Sequence, residues 1–248
     1  MLGRFLEVTL GDPFSNLALE EVLFMGLRAP TLRVWNNQRS IIIGRAQLAE
    51  FETDLAYCRD RGIPIVRRFT AGGAVYNGPG NLNWSFFVPR GANGKEPGLG
   101  DASKVFASFA ALIVGALRAC RVDCEFAPPN GIFDRRGKIS GMAAYISKAG
   151  VLCHGTLLVN APLEEVEKLT RPRSGELARR YPRSRAASLS NCGADSRDFA
   201  LALRQTSGYE LEEDGLTATE AEAALSLTAS KYSDDGWNLG DPFSLDDL

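Results

Sequence analysis

Three short segments of the chain carry groups that could bind and stabilise an anion. In the first, residues 67–76, two arginines, Arg67 and Arg68, precede the glycine pair Gly72 and Gly73. Paired glycines at the end of a strand let backbone N–H groups approach a ligand and face an anion, as in nest-like phosphate sites. Adjacent side chains on a strand point to opposite faces, so we expect only one of the two arginines to reach the ligand. The segment matches neither the P-loop nor the dinucleotide-binding fingerprint.

The second and third segments each place a polar side chain on a predicted strand. Lys138 stands among small and apolar residues, where scarce water predicts an anionic partner or a lowered pKa. His154, the only histidine of the chain, follows Cys153, which suggests Cys-His catalysis. Neighbours on a strand face opposite sides, however, so we expect a packed cysteine and a hydrogen-bonded histidine instead of a dyad.

Strands and helices are mixed along the chain in an order that predicts how these segments are positioned. We expect strands at residues 5–9, 31–35, 40–43, 65–69, 81–89, 122–126, 131–133, 138–147 and 151–159, with a turn at 36–37 and a hairpin turn at 148–150. We expect helices that begin at Ser15 or Asn16, that span residues 49–61 and 105–116, and two more after Pro162, the last with a capping box from Thr217 to Glu220. The mixture predicts an α+β sheet covered by helices and not a parallel doubly wound fold.

Composition argues against several classes of protein. The chain has 248 residues, 45% of them hydrophobic and 23% charged, with a formal net charge of −2, which is ordinary for a folded globular protein. The chain has no basic domain that would predict nucleic-acid binding. No apolar run reaches the roughly 20 residues that span a bilayer. The N-terminus lacks the apolar stretch of a signal peptide, so we expect a cytoplasmic protein. Five cysteines without CxxC spacing and a single histidine argue against a structural zinc site and predict reduced thiols.

In order and spacing, the three segments together resemble the lipoate-protein ligase family. VRRFTAGGAVYNGPGNLNWSF is similar to the family pattern RRxSGGGAVYHDxGNLNxSF, NGIFDRRGKISGMA to NDI...GKKISGSA, and HGTLLV to HGTLL. The upstream IIIGRAQ and the late KYSDDGWNLG also match, so the resemblance covers residues 5–240. Three ordered motifs are more specific than any one of them.

The resemblance implies the biotin/lipoate protein ligase-like fold, a mixed and largely antiparallel sheet flanked by helices. It also implies that lipoate is activated by ATP and Mg²⁺ to lipoyl-adenylate and then transferred to a lysine of a carrier protein. Lys138 would be the catalytic residue, holding the mixed-anhydride oxygens in both half-reactions. Val75, Tyr76 and residues 154–156 would form walls of the apolar slot that the lipoate tail needs. The residues that would bind lipoate or the nucleotide are Arg68, Thr70, Gly72, Gly73, Ala74, Val75, Tyr76, Asn83, Asn130, Ser140, Gly141, Ala143, His154, Gly155 and Thr156.

The chain departs from the family pattern at three points. Ala71 replaces the first of three glycines, a mild change if its φ stays negative. Gly131 stands where the ligases have an aspartate expected near metal or phosphate, so the metal ligands are unassigned and the replacement bears on adenylation. The chain ends without the accessory domain of single-chain ligases. We therefore expect one catalytic domain, residues 1–248, with a helical part at about 165–240, that works alone or with a separate accessory subunit.

Two alternatives stay open at this point. The chain could transfer octanoyl or lipoyl groups through a cysteine thioester, because Cys124 lies near the nucleophile position of one such class, although a strand core residue is the simpler interpretation. It could instead bind a lipoylated carrier or a partner without catalysis, as the replacement at Gly131 suggests. In either case the arginine-rich stretch 171–185 could steer an acidic carrier domain. The sequence leaves open which carrier is modified and whether lipoate or octanoate is preferred.

Overall fold

The computed structural model describes residues 2–91, 101–172 and 180–242. Within these ranges the chain forms the strands β1 (Gly3–Leu6), β2 (Thr31–Trp35), β3 (Ser40–Ile43), β4 (Ile65–Arg67), β5 (Val75–Asn77), β6 (Asn81–Pro89), β7 (Glu125–Ala127), β8 (Gly131–Phe133), β9 (Lys138–Ile146), β10 (Gly150–Leu158) and β11 (Leu211–Glu213). The helices are α1 (Pro13–Met25), α2 (Ala49–Glu52), α3 (Leu55–Asp60), α4 (Ala102–Ala119), α5 (Leu163–Leu169), α6 (Ser196–Thr206), α7 (Ala218–Leu227) and α8 (Asp235–Leu239). A π-helical turn, Thr228–Tyr232, continues α7 toward α8.

The described strands form two sheets. The larger has eight strands in the order β11-β1-β2-β6-β10-β9-β8-β7, and the smaller has three in the order β4-β3-β5. In the larger sheet β11, β1 and β2 pair in parallel, and the other pairings are antiparallel. The expected fold, a mixed and largely antiparallel sheet flanked by helices, is therefore confirmed.

Helices cover both faces of the larger sheet because its central strands are apolar on both sides. Phe86 and Cys153 belong to the core under α4 and α6, whereas their neighbours Phe87 and Leu152 belong to the core under α1 and α7. Helix α4 is long and apolar enough, by length and composition, to cross a membrane. It buries Val105 and other apolar side chains in the first of these cores, so we interpret it as a core helix.

The three central strands of the larger sheet carry two of the three chemical segments. The β9-β10 hairpin turns where the sequence predicts, and its register runs from the pair Val151 and Ile146 to the pair Leu157 and Ser140. On its other side β10 pairs with β6 over all nine of its residues. This long pairing fixes the positions of the residues on β6, β9 and β10 relative to one another.

Some predicted boundaries were wrong because a local cap decides where a helix begins. The first helix is capped by Asp12, whose side chain accepts from the Ser15 amide at 2.8 Å, so neither Ser15 nor Asn16 is the cap. The helix expected at residues 49–61 is divided into α2 and α3, because Asp54 caps the second part and accepts from the Tyr57 amide at 3.0 Å. The capping box from Thr217 to Glu220 is confirmed.

The predicted bounds of the strands differ less from the structure than those of the helices do. β2, β3, β6 and β8 have the expected bounds, although β2 and β3 lie in different sheets and do not pair. The strands expected at residues 5–9, 65–69 and 122–126 lie at Gly3–Leu6, Ile65–Arg67 and Glu125–Ala127. Strand propensity alone does not place the end of a strand, since pairing with the neighbour decides it. The loop expected after residue 91 falls almost entirely outside the described residues.

Gly155 on β10 generates the first prediction, because a Cβ atom there would lie 2.5 Å from both the Trp84 ring and the Gly141 carbonyl oxygen. Gly155→Ala should lower the free energy of unfolding by about 1–3 kcal/mol, the usual cost of overpacking a core. Gly115→Ala on α4 is the matched control, because its Cβ would meet only Thr206 at an ordinary 3.8 Å. Helix propensity should make that variant more stable by about 0.5–1 kcal/mol.

Urea unfolding followed by circular dichroism would measure both changes. Equal stability of the Gly155→Ala variant and the parent would contradict the close packing described for β6, β9 and β10.

Candidate active site

A cavity of about 290 Å³ opens where β6, the β9-β10 hairpin and helix α1 meet the loop between β4 and β5. A second, wider cavity of about 790 Å³ adjoins it on the side of α5. The two cavities share a wall, formed by Ala74, Val75, Lys138, Gly141, Thr156, Ser184 and Arg185. The three predicted segments therefore come together in one place, although they lie far apart in the sequence.

Most of the predicted site residues line the first cavity. They are Arg68, Gly72, Gly73, Ala74, Val75, Asn83, Asn130, Lys138, Gly141, Ala143, His154, Gly155 and Thr156. Ser140 lines only the second cavity, and Thr70 lies behind the first, bonded to His154.

Tyr76 is a correction to the predicted wall of the apolar slot. Its side chain is buried with Ile41, Cys58 and Leu158 in a separate core beside the small sheet. Successive side chains of a strand alternate between faces, so Val75 and Asn77 face the first cavity and Tyr76 faces away from it.

The two adjacent arginines point to opposite sides, as the sequence predicts. Arg68 lines the cavity, and its Nη2 donates to the carbonyl oxygens of Ala71 and Gly73 at 2.8 and 2.9 Å. Arg67 donates instead to carbonyls of the C-terminal segment, including Trp237 at 2.7 Å. Burial lowers the pKa of both guanidinium groups to about 10, so both stay charged at neutral pH.

The glycine loop, residues 71–74, presents backbone donors at the junction of the two cavities. Gly72 has a φ of +108°, which glycine adopts readily and side chains with a Cβ avoid. The Ala74 amide donates to the Ser184 hydroxyl at 2.7 Å. In the described part of the chain the amides of Gly72 and Gly73 donate to no protein acceptor. They are therefore candidates to bind an anionic ligand.

Lys138 is half-buried at the first residue of β9. Burial lowers the pKa of its ammonium group, as the sequence predicts for a lysine away from water. No carboxylate of the described residues lies within 4.0 Å of it. A Cβ on Gly141 would lie 3.2 Å from its Nζ, so glycine at this position leaves room for the ammonium group. The arrangement suits an anionic ligand better than an internal ion pair.

Two more polar atoms point to a ligand. Among the described residues, Asn83 Nδ2 and Ser140 Oγ are buried side-chain atoms without a hydrogen-bond partner. Asn83 lines the first cavity and Ser140 the second. Leaving a buried donor unpaired costs about 1–3 kcal/mol, so such groups in a cavity wall are typical of binding sites.

At position 131, where the family pattern has an aspartate, another side chain fills the space beside the glycine. A Cβ on Gly131 would lie 2.5 Å from the Phe133 ring and 3.4 Å from Cε of Lys138. The Phe133 ring thus occupies the space where a side chain would begin. The preceding Asn130 keeps its place in the cavity wall and donates from Nδ2 to the Met142 carbonyl at 2.6 Å.

Sequence reasoning missed several residues of the site. Glu20 and Trp35 line the first cavity from α1 and β2. Glu52 accepts from the amide of Ser184 at 3.1 Å and from Arg183 at 2.7 Å, which holds this segment against the glycine loop. An acidic residue among apolar ones, LALEEVLF, was a signal for Glu20, but nothing local connects Glu52 with Ser184.

The cysteines behave as core residues. Cys153 is buried under α4, on the face opposite His154, and the histidine is hydrogen-bonded, so both expectations for this pair are confirmed. Cys124 is buried in the same core, and burial raises the pKa of its thiol to about 11. A thiol with a raised pKa is a weak nucleophile at neutral pH. Neither Cys124 nor Cys153 therefore suits thioester catalysis.

Comparison with known proteins agrees with this site. Residues 12–204 match the family model described as lipoyl protein ligase A/B catalytic domain. "Lipoate-protein ligase A subunit 1" of Thermoplasma acidophilum is 30% identical over 262 residues, 97% of this chain and 97% of that protein. The fold is that of a lipoate ligase-like catalytic domain. The chain belongs to the lipoyl protein ligase A/B catalytic-domain family.

Two solved structures share the fold closely. One is described as an archaeal bi-partite lipoate protein ligase and its E2 lipoyl domain from Thermoplasma acidophilum, with a TM-score of 0.82, 27% identity and 97% coverage of both chains. The other is a lipoate-protein ligase A bound with ATP, with a TM-score of 0.82, 28% identity and coverage of 97% of this chain and 99% of that one.

The raised pKa of Cys124 generates the second prediction. At pH 8 the folded protein should react with iodoacetamide at Cys124 far more slowly than the urea-unfolded protein, whose thiols have pKa values of about 8.5. Peptide mapping by mass spectrometry separates Cys124 from the other four cysteines. Faster alkylation of Cys124 in the folded state would contradict its assignment as a core residue.

Proposed function

We propose that this chain is an ATP-dependent lipoate-protein ligase that forms lipoyl-adenylate and transfers the lipoyl group to a lysine of a carrier protein. One observation carries the proposal. The Lys138 ammonium group and the amides of Gly72 and Gly73, none of them paired within the described ranges, line one narrow, largely apolar cavity, and Lys138 also lines the wider cavity next to it. A molecule with an apolar tail and an anionic head fits this geometry.

In the first half-reaction a lipoate carboxylate oxygen attacks the α-phosphorus of ATP, a new P–O bond forms, and pyrophosphate leaves. The apolar tail lies in the first cavity, against Val75 and Trp35. Lys138 stabilises the negative charge on the α-phosphate oxygens, and the amides of Gly72 and Gly73 add hydrogen bonds. Because these groups are already in place and partly buried, little reorganisation accompanies the reaction.

In the second half-reaction the amine of the carrier lysine attacks the carbonyl carbon of the mixed anhydride. An amide bond forms, AMP leaves, and the amine loses its proton to solvent. Lys138 now stabilises the leaving AMP, and Asn83 Nδ2 is a donor for the same end of the ligand. The wider cavity, with Ser140 in its wall, is the approach for the carrier lysine.

The described residues offer no ready-made metal cage. They contain no group of three or more histidine, cysteine, aspartate or glutamate side chains that could hold an ion. Magnesium bound mainly through phosphates needs only one or two protein carboxylates. Glu164 and Glu167 in the wall of the second cavity are the carboxylates available to a nucleotide-bound ion. When bound, Mg²⁺ would neutralise phosphate charge.

Two observations support a carrier and an accessory subunit as partners: the descriptions of similar proteins and the arginines beside the second cavity. The similar Thermoplasma protein is called a subunit, and a similar structure pairs a bi-partite ligase with its lipoyl domain. These descriptions support a lipoyl carrier as substrate and a separate accessory subunit as a partner of a single catalytic domain. Arg171 and Arg185, in the wall of the second cavity, would attract an acidic carrier. Residues 173–179 of the arginine-rich stretch lie outside the described residues. A cytoplasmic location stays a prediction.

The two alternatives are less well supported. A transferase would need a reactive thiol, but Cys124 is buried and has a raised pKa. A non-catalytic binding protein would need an anionic ligand for the half-buried Lys138, and lipoylation of a carrier in the presence of ATP would distinguish the ligase from it.

Lys138 provides the third prediction, tested with lipoate, Mg-ATP and an apo carrier domain. The wild-type chain, supplied with its accessory subunit if it needs one, should add a lipoyl mass to the carrier. Lys138→Ala should slow this by about a hundredfold or more, since it removes the charge that stabilises both transition states. Lys148→Ala, an exposed lysine of the same hairpin, is the matched control and should leave the rate unchanged.

Intact-mass spectrometry of the carrier measures the rates. Equal rates for the Lys138→Ala variant and the wild type would remove the assigned role of Lys138. Modification that requires an acyl-carrier thioester in place of ATP would favour the transferase.

The fourth prediction is that Arg171 and Arg185 attract an acidic carrier electrostatically. Raising the ionic strength from about 0.05 to about 0.3 M shortens the Debye length to below roughly 8 Å. Carrier lipoylation should slow severalfold, because the encounter with an acidic carrier loses its long-range attraction. Lipoate-dependent exchange of pyrophosphate into ATP, which needs no carrier, should change less. Identical salt dependence of the two reactions would contradict steering of the carrier.

A further inference from the structure

A chain of buried hydrogen bonds connects helix α1 with the glycine loop. Glu20 on α1 is completely buried, and its Oε2 lies 2.9 Å from His154 Nδ1. His154 Nε2 lies 2.8 Å from the Thr70 hydroxyl. Arg68 Nε donates to the same hydroxyl at 3.0 Å, and Arg68 Nη2 donates to two carbonyls of the loop. Nothing in the proposed reaction uses Glu20 or Thr70.

Hydrogen-bonding rules assign every proton in this chain. Arg68 can only donate, so the Thr70 oxygen accepts from it. In the described residues the Thr70 hydroxyl has one acceptor for its own proton, which is His154 Nε2. Thr70 is fully buried, so an unused hydroxyl proton would be costly. His154 must then carry its hydrogen on Nδ1 and donate it to Glu20.

Glu20 is in the ionised form that this assignment needs. Burial opposes the charge on Glu20, whereas hydrogen bonds from His154 and Ser85 and the charge of the Arg33 guanidinium favour it, and the pKa of the carboxyl lies below its ordinary value. The Ser85 hydroxyl donates to its other oxygen at 2.6 Å, and Trp35 Nε1 in turn donates to Ser85 at 3.1 Å. Both carboxylate oxygens therefore accept from fixed donors, and the histidine tautomer is determined from the Glu20 side.

We propose that Glu20 and Thr70 are positioning residues for the glycine loop. Glu20 sets the tautomer of His154, His154 accepts from Thr70, and Thr70 holds the Arg68 guanidinium in the orientation that bridges Ala71 and Gly73. The loop amides proposed to bind the nucleotide are thereby fixed from a helix on the other side of the cavity. This inference rests on the proposed adenylation at the loop.

Thr70 gives the sharpest test because it does not line either cavity, so its replacement leaves direct contacts with the tail in place. Thr70→Val keeps the shape of the side chain and removes the hydroxyl. In lipoate-dependent pyrophosphate exchange it should lower kcat or raise the KM for ATP, with a loss of about tenfold or more in kcat/KM. The KM for lipoate should stay within about twofold. Thr70→Ser, which retains the hydroxyl, should keep most of the activity.

Two readouts do not depend on activity. Because His154 is the only histidine, the nitrogen-15 spectrum of the imidazole contains one pair of ring signals. The wild type and Thr70→Val should both show the Nδ1–H tautomer, and Thr70→Val should shift the amide resonances of Gly72 and Gly73. Glu20→Gln replaces an acceptor with an amide and should change the tautomer or mix the two forms. Glu50→Gln, the same change at an exposed site, is the control.

The outcomes separate this inference from the proposed function. Absence of exchange in the wild type, even with the accessory subunit, would refute the adenylation but would leave the tautomer and the amide shifts as tests of the hydrogen-bond chain. Full activity of Thr70→Val, unchanged loop amides, or an Nε2–H imidazole in the wild type would each overturn the positioning role. An equal loss in Thr70→Ser and Thr70→Val would also overturn it. Unfolding curves for each variant exclude loss of the fold as the cause.

Discussion

The site depends on two successive arginines that are buried at the end of β4. Removing two guanidinium groups from water is expensive, and burial lowers the pKa of each to about 10. Both therefore need acceptors, and backbone carbonyls supply them. Arg67 binds carbonyls of Trp237 and Gly240 in the C-terminal segment, whereas Arg68 binds carbonyls of the glycine loop. The C-terminal segment and the glycine loop are thus attached to two successive residues, the last residue of β4 and the one that follows it.

Paired strands hold the side chains of the site, and the attached glycine loop presents its backbone amides. The pairing of β6, β9 and β10 fixes Asn83, Lys138 and His154 with respect to one another. The loop brings backbone amides to the same point from the small sheet. Groups held by two different structural units can surround a ligand that is apolar at one end and anionic at the other. Lys138 lines both cavities, at the place where the proposed mechanism puts the reacting atoms of both half-reactions.

Local sequence patterns predict the parts of this structure that local forces decide. The turn at 148–150, the alternation that separates Cys153 from His154, and the opposite directions of Arg67 and Arg68 all follow from strand geometry. Other features depend on contacts between distant residues, and no local pattern contains them. The contact of Glu52 with Ser184 is one example. The direction of Tyr76, which points away from the cavity, is another, since pairing of β5 in the small sheet decides which of its sides meets the cavity and no local pattern predicts that pairing.

The central claim is that one ligand joins the two cavities at Lys138. A crystal structure of the chain with a non-hydrolysable lipoyl-adenylate analogue tests this most directly. The account predicts the lipoyl tail in the narrow cavity beside Val75, and the phosphate-mimicking group within hydrogen-bond distance of Lys138 Nζ and the Gly72 or Gly73 amide. An analogue bound elsewhere, or bound here with Lys138 turned away from the anionic group, would contradict it.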